Sequence, residues 1–456
     1  MKRIFKTAVT LMCFATISAC SDHKKPSIQM VYTSSNSASD NHVVALTLKS
    51  NGQLEQTAEY STGGQGTGAG FPNQGSIRVI DDHLLVVNAG GDTNGSISVF
   101  DINPSNGALT RVDQDLSTDG IQNMDSQGYR PSSIDIVQHN STQYAVVTNQ
   151  YQTPECEKVA DNRNFFDCLD ADGNSMSDLR DNDFPGRRNI AIFRFENGRL
   201  FPLATPHTFT VGVGGPVQAS FSPDGTKLAL TTFGIPNAAN PADPTQQQPS
   251  RVFLFNTQFS QDTLSLEEVG SFANRGISAS VGFSWSSDSR YLYVTNAILS
   301  ATQQASNVIT LDTTDVGNQF NTLDDQIPAG TGEVMADGRP AACWTWLSAN
   351  NRNLYVVSSE PNRISYFHVD GSQLSLIDQV DRKSAPAGDA KDIIFNRDNE
   401  LALVLGGESH TVSIFQVAND GKLTELDNSP LQLTLPNDDS RRYIGLAIYP
   451  AQYMGF

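Results

Sequence analysis

The chain of 456 residues lacks most of the groups that announce chemistry. Its seven histidines are scattered, and none has zinc-ligand spacing. There is no Gly-x-Ser-x-Gly elbow, which removes the exposed serine nucleophile that such a turn presents. The run Gly63-Gly64-Gln65-Gly66-Thr67-Gly68-Ala69-Gly70 has no helical pattern after it, so it reads as a connection and not as a phosphate loop. The apolar run from Ala8 to Ile17 is too short to span a bilayer. Positive charge is scarce: 30 Lys and Arg face 49 Asp and Glu, a net charge of −19. Such a balance disfavours nucleic acid and anionic lipid surfaces as partners.

What the chain does have is a repeat. One strand recurs as Val43-Val44-Ala45-Leu46, Ile97-Ser98-Val99-Phe100, Ile190-Ala191-Ile192-Phe193, Val252-Phe253-Leu254-Phe255, Val308-Ile309-Thr310-Leu311, Ile364-Ser365-Tyr366-Phe367 and Val412-Ser413-Ile414-Phe415. Turns such as Asn106-Gly107, Asn197-Gly198 and Asp420-Gly421 follow, suited to hairpins because both central residues tolerate positive φ. Upstream of each copy after the first lie two more strands, for example Leu84 to Val87 and Ile77 to Ile80. Four strands per unit and seven units predict an all-β, seven-bladed β-propeller with radially stacked blades. Tandem β-sandwiches are the alternative. The first unit lacks an innermost strand, while Ile444 to Pro450 is a strand without a unit. The spacing therefore predicts that the C-terminal strand completes the first blade and removes an open edge. Ile190 follows Ile97 by 93 residues, against 48 to 62 elsewhere, which marks a loop insertion at 152–188.

The start, Met1-Lys2-Arg3, the short apolar run and Ser18-Ala19-Cys20 have the order of a secretory signal. Ile17-Ser18-Ala19-Cys20 resembles the bacterial lipobox. That resemblance implies a signal peptide at 1–19, lipidated Cys20 and a tether at 20–29, and a propeller over 30–456. Ser21 after the cysteine implies outer-membrane sorting, with the protein facing the periplasm or cell surface. Of the five cysteines, Cys156 and Cys168 fall within the insertion and are expected to form a disulfide in an oxidising compartment. Cys343 reads as a buried packing residue beside Trp344. His207 and His410 read as loop residues. The insertion also holds Asp170, Asp172, Asn174 and Asp178, an oxygen-rich loop that suits Ca²⁺ without the spacing of an EF-hand. A solvated acidic loop is the plainer alternative, and no other cofactor is expected.

The Phe221-Ser222-Pro223-Asp224-Gly225-Thr226-Lys227-Leu228 segment, Ala341 to Asp370 and Ala385 to Leu423 resemble the lactonase-type propeller family, which includes 6-phosphogluconolactonase and 3-carboxymuconate cyclase. The family's chemistry is associated with His, Arg and Glu at the channel mouth. Here Pro131-Ser132-Ser133 stands where the family shows Pro-His-Ser, and Gly215-Pro216-Val217-Gln218 where it shows Gly-Pro-Arg-His. The family's acidic position falls near Ala342 and Cys343. Lactone opening needs a proton carrier and a clamp for the developing oxyanion, and the matching positions lack them. Arg130, Arg275, Arg339, Lys391 and Arg442 lie just ahead of innermost strands and are expected to converge on one funnel for a small anionic ligand. The alternative is that they pair with nearby carboxylates. The reading is a monomeric, lipid-anchored envelope propeller that binds a small anion or an envelope protein. Its alternatives are a lactonase or cycloisomerase, and a complex-assembly or adhesion subunit.

Overall fold

The computed structural model describes residues 28–68, 73–90, 94–150, 188–203, 206–209, 213–234, 249–260, 262–273, 278–298, 307–314, 321–328, 342–359, 361–383, 390–434 and 441–451. The signal-like N-terminus, Cys20, Cys156, Cys168, Asp170, Asp172, Asn174, Asp178, Arg275 and Arg339 lie outside these residues.

Among the described residues every regular element is a strand. The first blade begins with β1 (Ile28–Ser34), β2 (His42–Lys49) and β3 (Leu54–Ser61). The second has β4 (Ile77–Ile80), β5 (His83–Asn88), β6 (Ser96–Ile102), β7 (Leu109–Val112) and β8 (Met124–Asp125). The third has β9 (Pro131–His139), β10 (Thr142–Asn149), β11 (Asn189–Glu196), β12 (Arg199–Pro202) and β13 (His207–Thr208). Blade 4 comprises β14 (Pro216–Phe221), β15 (Lys227–Thr232), β16 (Arg251–Ser260) and β17 (Thr263–Ala273). Blade 5 comprises β18 (Ser278–Trp285), β19 (Tyr291–Ile298), β20 (Asn307–Asp312) and β21 (Asn321–Pro328). Blade 6 comprises β22 (Ala342–Leu347), β23 (Asn353–Ser358), β24 (Arg363–Asp370) and β25 (Gln373–Asp381). The seventh has β26 (Ala390–Phe395), β27 (Leu401–Gly406), β28 (Thr411–Val417), β29 (Leu423–Glu425) and β30 (Leu431–Gln432). Last comes β31 (Ile444–Tyr449), which pairs antiparallel with β1 and gives the first sheet the order β3-β2-β1-β31. The ring closes as the orphan strand in the sequence implied.

Blades 2, 3 and 7 each carry a fifth short strand, but it is not a fifth layer. In each, the extra strand pairs with the same neighbour as the outermost one, β6, β11 or β28. The outermost strand is simply interrupted. In blade 3 the break falls between Pro202 and Pro206, residues that cannot donate to the ladder. His207, read as a loop residue, opens the second half of that strand. Burial lowers the pKa of its ring, which lies 3.8 Å from Glu268.

The middle strands are covered on both faces, so their sequences are near-continuous apolar runs. The strand period of two sends Leu84 and Val86 toward blade 1 and Leu85 and Val87 toward blade 3. Each of the seven seams between blades holds its own apolar cluster. Each fully buried Leu, Val, Ile or Phe contributes about 1.5–3 kcal/mol, so the ring is held by side-by-side seams and not by one centre.

The face where the hairpins turn is built from repeated chemistry. Ser222 Oγ and Ser286 Oγ donate to Asp224 and Asp288 two residues on, at 2.6 and 2.5 Å, and fold the turn between the first and second strands. Gly52, Gly107, Gly198, Gly371 and Gly421 all have positive φ in the outer hairpins. Only at Asn197-Gly198 is the preceding residue also left-handed, so the other turns are not the two-residue type expected from Asn-Gly or Asp-Gly. Tyr32, Tyr293 and Tyr355 donate their hydroxyls to Gly107 O (2.7 Å), Gly371 O (2.6 Å) and Gly421 O (2.9 Å) of the next blade. Burial, then neighbouring ionisable groups, pushes each of these phenols up.

Candidate functional site

The innermost strands all start on one face, the mouth. The connection from blade 1 to blade 2 does not stay on the rim there. Asn73 Nδ2 donates to Ser132 O of blade 3 (3.2 Å), and Asn73 O accepts the indole N–H of Trp344 in blade 6. Gln74 Nε2 donates to Thr345 O (2.7 Å), and its Oε1 accepts Thr345 N (3.3 Å). A Cβ on Gly282 of blade 5 would fall 2.3 Å from Gln74 Oε1, so only glycine leaves room for that carboxamide. Blades 3 and 6 face each other across the ring. Residues 73 and 74 therefore lie across the axis, and with the fully buried Trp344 they fill the mouth that was expected to be an open funnel.

The positions matching the family's catalytic pattern are spent on the ring itself. Ser132 Oγ and Ser133 Oγ both meet Thr148 Oγ1, at 2.8 and 2.9 Å. Ser133 Oγ also accepts Ala219 N of blade 4 (2.9 Å). Gln218 clamps Phe283 of blade 5 from both sides, accepting its N–H at 2.8 Å and donating to its carbonyl at 3.2 Å. Cys343 is buried, and its Sγ lies 3.8 Å from Ser359 Oγ. The innermost strands of blades 3 and 4 thus each hold the backbone of the next with a polar side chain, an arrangement that satisfies groups water cannot reach.

Three of the five expected cations are described. Arg130 starts blade 3 with a left-handed backbone (φ +53°) and is 3% exposed. Arg442 is neutralised by Glu408 at 2.7 Å and also donates to Arg441 O. Arg441 is itself buried against Glu59 at 3.1 Å. Lys391 is different: its Nζ lies 5.6 Å from the centroid of the Trp344 ring, and no carboxylate pairs with it among the described residues.

Just below the crossing lie charged groups that the strand pattern hid. Arg78, on β4, reaches blade 3, donating Nε–H to Ile134 O (3.2 Å) and lying 3.5 Å from Asp135. Asp135 accepts Ser220 Oγ and Phe221 N of blade 4 at 2.8 and 2.9 Å. Asp392, on β26, accepts Ile393 N (2.8 Å) and Leu446 N (2.9 Å), the second contact helping to seat the closing strand. Burial pushes its carboxyl up to about 7, while those two amides and the charge of Arg78 act the other way. The signal in the sequence was a charge at the alternating position of an innermost strand, in Ile77-Arg78-Val79 and Ile134-Asp135-Ile136.

A closed ring of seven antiparallel blades with its mouth built this way defines a seven-bladed β-propeller. Residues 250–436, from the third strand of blade 4 through blade 7, match the family described as "Lactonase, 7-bladed beta-propeller". Over that stretch the chain is similar to that family. A Bacteroides fragilis protein provisionally assigned as a 6-phosphogluconolactonase shares the fold at a TM-score of 0.61 and 14% identity, over 92% of this chain and 97% of the other. The periplasmic gluconolactonase of Pseudomonas aeruginosa does so at 0.57 and 16%, over 92% and 99%. At such identities the likeness is one of fold. No curated protein matches the chain.

Proposed function

We propose that this chain is a binding propeller of the lactonase-like fold that has given up the family's lactonase chemistry, held in the cell envelope by a lipid on Cys20. The observation that carries this reading is the mouth: the axis there is filled by Asn73, Gln74 and Trp344, and Ser133 and Gln218 are consumed by neighbouring strands. Lactone hydrolysis needs a general base able to reach water, and an oxyanion clamp. By pKa the best candidate base is Asp392, but both its oxygens already accept backbone amides and it is 4% exposed. The mouth rim, where Lys391 pairs with no carboxylate among the described residues, supports an anionic partner.

The test is hydrolysis of gluconolactone and its 6-phosphate, followed by proton release. The expected rate equals the uncatalysed one. Turnover above background that is lost in Ser133→Ala or Asp392→Asn would overturn the reading.

A further inference from the structure

The channel beneath the Asn73–Gln74 crossing holds open hydrogen-bond donors. The side chains of Arg78 and Asp135 are 34% and 16% exposed, although both sit on innermost strands between two other blades. That accessibility faces the axis. Arg78 uses Nε on Ile134 O, while its two Nη nitrogens have no acceptor among the described residues. One of them lies 3.3 Å from where a Cβ would stand on Gly75, which places the guanidinium directly under the crossing. The acceptors nearby are already used: Asp135 by Ser220 and Phe221, Asp392 by two amides, and the hydroxyls of Ser284 and Thr345 by each other at 2.9 Å.

Unused donors with acceptors spent select an anion, and a planar guanidinium fork favours a carboxylate held by two parallel bonds. We propose that a small organic carboxylate enters the axial channel from the hairpin-turn face and is held there by the Arg78 guanidinium. The proposal rests on the chain being a binding propeller, but not on its lacking lactonase activity. The two can therefore fail separately.

The experiment is calorimetric titration of the protein with acetate, pyruvate and benzoate, each beside its neutral amide. Carboxylates are expected to bind one to one and amides not at all. Arg78→Gln and Arg78→Lys should each weaken binding at least tenfold, the second because it keeps the charge but loses the fork. Ile377→Ala, at an exposed site on the outermost strand of blade 6, should leave it unchanged. Gln74→Ala, which thins the crossing, should leave the association rate as it was. Absent carboxylate binding, equal binding of amides, or native affinity in Arg78→Lys would overturn the proposal. If Arg78→Gln fails to fold, Arg78→Lys decides it.

Discussion

The two faces of the ring are made on different terms. On the hairpin-turn face the same devices recur from blade to blade: a serine donating to a carboxylate two residues on, a left-handed glycine, and a tyrosine hydroxyl on the next blade's glycine carbonyl. The mouth face is more mixed: in blades 3, 4 and 5 a threonine hydroxyl accepts an innermost-strand amide, and blade 5 shares the Asn–Asn pair of blade 3, but other contacts occur once among the described residues. Blade 1 uses Asn41 Oδ1 as an acceptor for Ser34, Ser35 and the Asn36 amide, whereas blade 3 pairs Asn149 with Asn189 at 2.8 Å. Contacts within a blade or to the next blade fix the first face. Contacts between residues hundreds of positions apart, such as Gln74 with Thr345, fix the second. A repeat that secures its blades at one end leaves the other end free to diverge, which is where relatives of one fold come to differ in chemistry.

The contrast can be broken most directly at Trp344. Trp344→Ala empties the axis and orphans Asn73 O, and should cost about 3–5 kcal/mol in urea unfolding. A loss no larger than that of a turn-face tyrosine would mean that the mouth does not hold the ring. The next largest effect is pH-dependent. Asp392 titrates near 7 in the folded protein and near 3.8, its ordinary value, when unfolded. Between these values the folded state holds the extra proton, so stability falls as pH rises from about 4 to about 7 and is level above. Asp392→Asn should flatten that slope and cost about 1–3 kcal/mol, since one backbone amide then faces an NH₂ group. A slope retained in the variant would assign the titration elsewhere. The smallest effects belong to the turn face. Tyr32→Phe, Tyr293→Phe and Tyr355→Phe should each cost about 1 kcal/mol, nearly additively because they sit at separate seams. Coupling well above a few tenths would show that the blades do not act independently there.

The propeller and its closure were legible because both are periodic: apolar strands at period two, glycine turns at each hairpin, and a seventh innermost strand missing at one end and present at the other. The interrupted outer strands in blades 2, 3 and 7 were not, since a break in a half-exposed strand changes little in the pattern. The filled mouth was invisible for a stronger reason. Asn73 and Gln74 follow a glycine-rich connection with no period, and their partners are 59 to 271 residues away. Arg130 and Lys391 were found by position, at the heads of innermost strands, but position could not tell a buried guanidinium from an ammonium above an indole. Arg78 was overlooked because a charge alternating with Ile77 and Val79 looks solvent-facing, and here that solvent is the channel.

Closure by β31 also sets a clock on biogenesis. The strand that must cover β1 leaves the ribosome more than four hundred residues later, which at the usual rate of synthesis is roughly 20–80 s. Throughout that interval the growing polypeptide is an open arc with an apolar flank. Its window for capture by chaperones or for self-association ends only when β31 slots home.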